Sequence, residues 1–191
     1  MNKKLLYVLL AFMLVAVIAF AACYRGENPS NDPNQDPNQH PSQDILALCE
    51  SISDAKSATQ VITVNSGLGE LANETRNYDF VAGKVTIERK TLNSSDADEL
   101  YTTTTESKDI TGKPTVKLTK DLLTDVTETS TTLKAKVQGA NLNGVFGVQS
   151  SDVQGDARIE LVAQGSHIVS ITVSYTSANG NAVQVVTTYV Y

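Results

Sequence analysis

Three alternating segments near the C-terminus, separated by two glycine turns, constrain this chain more than any other part of it. Ala157 to Gln164, Ile168 to Thr176 and Ala182 to Tyr191 are interrupted by Gly165-Ser166 and by Ser177-Ala178-Asn179-Gly180-Asn181. Asn-Gly readily adopts the positive φ angles of a tight hairpin turn, so the three segments predict an antiparallel meander. The middle segment places Val169, Ile171, Val173 and Tyr175 on one side and Ser170, Thr172 and Ser174 on the other. The last segment repeats the pattern with Val183, Val185, Tyr189 and Tyr191. A sheet with one apolar and one polar face covers a core or a cavity on one side only.

Similar alternation recurs upstream. Strands are predicted at Gln60 to Val64, at Thr75 to Val81 with Tyr78 and Phe80 on one face, and at Lys84 to Leu92 with Val85 and Ile87 on one face. Further strands are predicted at Leu100 to Glu106, around Thr115 to Leu118, and at Thr131 to Gln138. Ahead of them an amphipathic helix is predicted from Asp44, with Ile45, Leu48, Cys49, Ile52 and Ala55 on one stripe and Asp44 capping the first amides. Two short helical turns are predicted, one after Thr119 presenting Leu122, Leu123 and Val126, the other over Asn141 to Phe146. The expected fold class is therefore α+β, a curved, mostly antiparallel sheet with helices on its apolar face, forming one globular domain over residues 45–191. The chain has no Trp, and its abundant Thr, Val and Ser favour sheet over a helical bundle. Cys49 is the only cysteine of that domain, which excludes an internal disulfide there.

Charge and motif content narrow the function. The chain carries 15 Lys or Arg against 21 Asp or Glu, a formal net charge of −6, spread without long blocks. This argues against nucleic acid and against electrostatic attachment to anionic headgroups. The domain's one histidine, His167, stands beside Gly165-Ser166 with no HExxH, CxxC or GxSxG set around it, and no carboxylate pair is placed across a cleft. No enzymatic activity, cofactor or metal is expected, and Cys49, inside an apolar stripe, reads as an inert thiol. Gly67-Leu68-Gly69-Glu70-Leu71-Ala72 fits a short dinucleotide fingerprint with Glu88 downstream, but Asn73-Glu74-Thr75 leads back into strand where a crossover helix is required. Asp96, Asp98 and Glu99 share one turn without the glycine-centred loop of a calcium site.

Residues 24–44 hold four of the five prolines, Pro29, Pro33, Pro37 and Pro41, in a degenerate tetrapeptide repeat with almost no apolar side chains. Such a segment cannot bury enough surface to fold, and it reads as an extended tether reaching at most about 60 Å. At the N-terminus Lys3 and Lys4 precede an apolar run from Leu5 to Ala22. Phe20-Ala21-Ala22-Cys23 resembles the lipobox of bacterial lipoprotein signal peptides, with Phe20 where leucine is usual. The resemblance implies a signal peptide over 1–22, cleavage before Cys23, and acylation of its thiol by chains such as palmitate. The domain then faces outside the cytoplasm, anchored by lipid to the cell membrane or the outer membrane. An uncleaved signal anchor is the alternative, since about 18 residues at about 1.5 Å each nearly span a hydrocarbon core. Lys3 and Lys4 give the same topology in both cases.

The order of elements, an amphipathic helix and then a long antiparallel meander closing on Ile168-Val169-Ser170-Ile171-Thr172-Val173-Ser174-Tyr175, is similar to the half-barrel envelope lipoproteins of the LolA and LppX type. In that family a curved sheet wraps helices and its concavity takes acyl chains. The resemblance implies a cup lined here by Tyr78, Phe80, Ile171, Val173 and Tyr175; the alternative is that these side chains fill a core. Two functions remain open: an envelope lipoprotein that binds lipid or another hydrophobic ligand, and a non-enzymatic interaction module displayed on a tether to bind surface proteins or polysaccharide.

Overall fold

Among the described residues, alternation of β-branched with polar residues generates nine strands: β1 (Ser57–Ser66), β2 (Gly69–Asp79), β3 (Lys84–Leu92), β4 (Tyr101–Asp109), β5 (Leu123–Glu128), β6 (Thr132–Gln138), β7 (Val153–Gln164), β8 (His167–Ser177) and β9 (Ala182–Val190). The structure is a computed structural model describing residues 44–93, 100–112, 116, 118–142 and 148–191. The strands form one antiparallel open sheet in the order β4-β3-β2-β1-β9-β8-β7-β6-β5. Two meanders, β1 to β4 and β5 to β9, each pair sequential neighbours, and the pairing of β1 with β9 joins them. The predicted C-terminal meander is β7, β8 and β9, turned at Gly165 (φ 59°) and Gly180 (φ 79°), left-handed positions that favour glycine.

The fold is mostly β and not the predicted α+β. The stretch expected as an α-helix from Asp44 is a 3-10 helix, Ala47–Asp54. Its serines explain the tighter winding, because the Ser51 and Ser53 hydroxyls donate to the carbonyls of Leu48 and Glu50, three residues back. The apolar stripe is nevertheless used, with Ile45, Cys49, Ile52 and Ala55 buried, and the Asp44 carboxylate accepts from the Leu46 amide at 3.1 Å. After Thr119 only Lys120–Leu122 is helical, and Leu123 opens strand β5. Alternating β-branched residues in Leu123-Thr124-Asp125-Val126-Thr127 suit extended backbone better than a helical turn. Of the strand expected around Thr115 to Leu118, Val116 and Leu118 are described and neither is in a strand. The turn expected over Asn141 to Phe146 is a 3-10 turn at Gly139–Leu142, and residues 143–147 lie outside the described residues, as do Asp96, Asp98 and Glu99. Gly67-Leu68 is the β1–β2 hairpin loop, and Gly69 opens β2.

The core sits on one face of the β5–β9 meander and its junction with β1. Leu133, Leu161, Ile168, Ile171 and Val173 have no solvent exposure, and the 3-10 helix packs Ile45 and Ile52 against them. The helix is fixed to β8 by Ser51, whose hydroxyl accepts from the Ile168 amide at 3.2 Å, while the Tyr191 hydroxyl donates to the Ile168 carbonyl at 2.7 Å. One expected face assignment changes here. Val162 pairs with Ser170 but Ala163 pairs with Ile168, so a bulge at Val169 places Ile168 in the core where alternation predicts Val169.

Candidate ligand-binding face

Strand register lines the inward-facing residues into rows that cross the sheet. One row runs through every strand: Glu106, Ile87, Arg76, Gln60, Thr187, Ile171, Leu161, Leu133 and Glu128. Between Arg76 and Leu133 it passes from charged to polar to apolar without leaving the same face of the sheet. On one side of it lies the row Lys108, Val85, Tyr78, Ala58 and Tyr189, and on the other Thr104, Arg89, Glu74, Ile62, Val185, Val173 and Ile159.

The polar end of these rows is a continuous ladder. Arg76 donates through Nε to Glu74, and Arg89 donates through Nε to Glu74 and through Nη1 to Glu106. Lys108 completes it with an ion pair to Glu106 at 3.1 Å. Inward of Arg76, its Nη1 donates to the Gln60 side-chain oxygen at 3.3 Å and Gln60 Nε2 donates to the Thr187 hydroxyl at 3.1 Å, both Gln60 and Thr187 being buried. Glu74, 17% exposed, is the least accessible charge of the ladder and Arg89, at 41%, lies nearer water. Burial disfavours the charged form of Arg76, but hydrogen bonds to Glu74 and Tyr78 outweigh it and hold the guanidinium above its ordinary pKa. Glu106 is held below the usual carboxylate range, first by Arg89 and then by Lys108.

Next to the ladder the face is aromatic and aliphatic. Tyr78 and Phe80 stack with centroids 5.8 Å apart and planes inclined by 18°, both half-buried at the margin of the core. Val85 and Ile87, in the adjacent strand, are buried. The residues predicted to line a cup are therefore dispersed along the face. Ile171 and Val173 lie in the sealed core, and Tyr78 and Phe80 lie together at the end of the sheet where β1 begins. Tyr175 is at the other end, in register with Val183 and through it with Val64, six residues along β1 from the Ala58 that faces Tyr78. That separation is about 20 Å at about 3.3 Å per residue. Burial, with Asp152 nearby, pushes the Tyr175 hydroxyl above its ordinary pKa.

The outward face is polar and carries two shallow depressions. One of about 320 Å³ is lined by Asp125, Lys134, Lys136, Arg158, Glu160 and Ser174 among others, and one of about 490 Å³ by Asn65, Asp156, Arg158, Ser174, Tyr175 and Gln184 among others. Lys136 pairs with Asp125 and Lys134 with Glu160. His167 begins β8, its ring 4.3 Å from that of Tyr191 and its Nδ1 3.2 Å from the Ser166 hydroxyl. The Cys49 thiol is pushed up to about 11 by burial, with Asp44 adding to the shift. Cys23 lies outside the described residues. Among the described residues no group of His, Cys, Asp and Glu is arranged to hold a metal ion, and no helix is long and apolar enough to cross a membrane.

The ladder was missed by alternation because the stretches that carry it, Asn73–Asn77, Glu88–Lys90 and Thr102–Lys108, are polar on both faces. A usable signal existed in the opposite charges two residues apart, Glu74 with Arg76 and Glu106 with Lys108, which share a face of one strand.

No protein-family model matches the chain, and no curated protein matches it. Among solved structures it is similar to a redesigned beta barrel, mFAP1, bound to DFHBI, with 11% identity over 74% of this chain and 97% of that one and a TM-score of 0.25. It is also similar to the N-lobe domain of lactoferrin binding protein B of Moraxella bovis, with 10% identity over 71% of this chain and 60% of that one and a TM-score of 0.24.

Proposed function

We propose that the protein is a non-enzymatic, lipid-anchored bacterial envelope lipoprotein whose sheet binds a lipid or another hydrophobic ligand on the inner face of β2 and β3. The observation that carries the reading is the half-buried Tyr78–Phe80 stack, apolar surface left partly open at the margin of the core, near Val85 and Ile87, which are themselves buried. Covering such surface contributes about 25 cal/mol for each Å² removed from water. The Phe20-Ala21-Ala22-Cys23 sequence and the proline-rich tether support the placement at a membrane surface.

The test is organic extraction and mass spectrometry of the full chain purified from membranes. A stoichiometric noncovalent lipid, lost in the Tyr78→Ala/Phe80→Ala variant with circular dichroism unchanged, is the expected result. A chain free of extractable lipid that remains so after incubation with membrane lipids rejects the proposal. Loss of membrane attachment in Cys23→Ser tests the anchor separately.

A second reading, a tethered module for polysaccharide or a surface protein, is favoured by the outward depressions that share Arg158, Ser174 and Gln184. Binding of a polysaccharide to the intact chain, lost in Arg158→Ala, is the result that separates it from the first.

A further inference from the structure

Arg158, on the outward face of β7, is a cation whose hydrogen-bonding capacity is unspent. Among the described residues it makes no hydrogen bond or ion pair. Its charged neighbours in the first depression are matched, Lys134 with Glu160 and Lys136 with Asp125, so the guanidinium alone is left over. Ser174 and Gln184 follow Arg158 in strand register across β8 and β9, and their side chains also have no hydrogen bond among the described residues. The three form a polar row about 10 Å long, at about 4.8 Å per strand, with its donors and acceptors open to a ligand. The sheet is interrupted beside this row. Gln154 pairs with Thr176 and Arg158 with Ser174, so Gly155, Asp156 and Ala157 stand opposite the single residue Tyr175. Gly155 (φ 74°) carries this bulge in a left-handed conformation that favours glycine. The second depression lies here and shares Arg158, Ser174 and Gln184 with the first, so Arg158 stands between two recesses.

We infer that Arg158 is the seat of a carboxylate carried by an acidic sugar, whose hydroxyls are met by Ser174, Gln184 and Asp156. The inference rests on the second reading above, the polysaccharide module, and adds the charge of its ligand. A guanidinium presents parallel N–H donors to the two oxygens of a carboxylate, and here no existing pair has to be broken first. Asp156 lines the second recess without an ion pair, so it accepts from hydroxyls and keeps the anion on the side of Arg158. Hydroxyl, amide and carboxylate groups around the seat suit a hydroxylated ring better than an acyl chain. The net charge of −6 favours one isolated carboxylate over a dense polyanion, since charges farther than about 8 Å from the seat are largely screened at physiological ionic strength.

The experiment titrates the intact lipidated chain in detergent with digalacturonate, its dimethyl ester, glutarate and the cationic disaccharide of unacetylated glucosamine, followed by ligand-observed NMR. The expected result is that digalacturonate binds about tenfold more tightly than its ester, which has the same ring skeleton without the charge. In Arg158→Gln, a change at an exposed position, the two bind equally. Equal binding of acid and ester by the unaltered chain overturns the carboxylate seat and leaves the polysaccharide reading standing. A preference for the cationic disaccharide, or a preference for the acid that persists in Arg158→Gln, overturns the seat outright. Glutarate binding as tightly as digalacturonate overturns the sugar. Binding of none overturns the seat, and the polysaccharide assay of the intact chain then decides the second reading separately. Comparison of acid with ester on the unaltered protein decides the matter even where the variant fails to fold.

Discussion

The β5–β9 meander and the β1–β4 meander use the same strand geometry and the same inward face, yet they are held together differently. In β6, β7 and β8 the inward positions are Leu133, Leu161 and Ile171, all without solvent exposure in the core cluster that also holds Cys49 and Ile52 of the 3-10 helix. In β2, β3 and β4 the same row holds Arg76, Ile87 and Glu106, and Arg89 of β3 forms cross-strand ion pairs with Glu74 of β2 and Glu106 of β4. The difference teaches that a period of two specifies a strand but not the force that holds it in the sheet. That depends on what the inward position carries and on whether a second layer covers it. The row that runs from Glu106 to Leu133 contains both solutions, with Gln60 and Thr187 as the transition.

Four measurements break or sharpen this contrast. Leu161→Ala, which opens a cavity in the sealed half, is expected to lower stability by about 3 kcal/mol in urea unfolding. Glu74→Gln removes the carboxylate shared by Arg76 and Arg89 and is expected to cost about 2 kcal/mol, with hydrogen exchange accelerated in β2, β3 and β4 ahead of β7 and β8. Equal acceleration across both meanders sinks the contrast. On acidification, Glu106 and Asp125, held below ordinary values of 4.5 and 3.8 by Arg89 and by Lys136 respectively, behave as carboxylates with a depressed folded pKa. Their contribution is present above the unfolded values and is lost as pH falls through the folded ones, so hydrogen exchange of β3–β4 and of the β5 edge rises at low pH while the central core is retained. Leu68→Ser, at the fully exposed tip of the β1–β2 hairpin, is expected to change stability by less than about 0.5 kcal/mol.

The sealed half was largely legible in the sequence, because Gly165 and Gly180 punctuate segments whose apolar residues mostly point one way. Tyr78 and Phe80 were correctly placed on one face for the same reason. Val169 was not, because a bulge needs only one extra residue and leaves no mark in a run as uniformly β-branched as Ile168-Val169-Ser170-Ile171. The 3-10 winding of Ala47–Asp54 escaped because periodicity registers the buried stripe, whereas the serine hydroxyls that select the tighter turn lie off it. The ladder escaped for a third reason. Its partners on β2, β3 and β4 become neighbours only once hairpin register is known, so charge in a strand reads locally as solvent exposure.

The pairing of β1 with β9 has a consequence for how the molecule is made. Every other pairing joins strands adjacent in the chain, whereas Gln60 and Thr187 are 127 residues apart. As the chain emerges from the ribosome or an export channel, β1 must wait, its inward edge unpaired, until β9 arrives. Closure of so long a loop makes this seam the slow, topology-limited step. Its alternating Val and Thr residues would tolerate a slip of two positions, which would set Gln60 against Val185 or Tyr189 and leave a buried amide without the Thr187 hydroxyl. The pair thus favours the observed register of the seam over a slip in either direction.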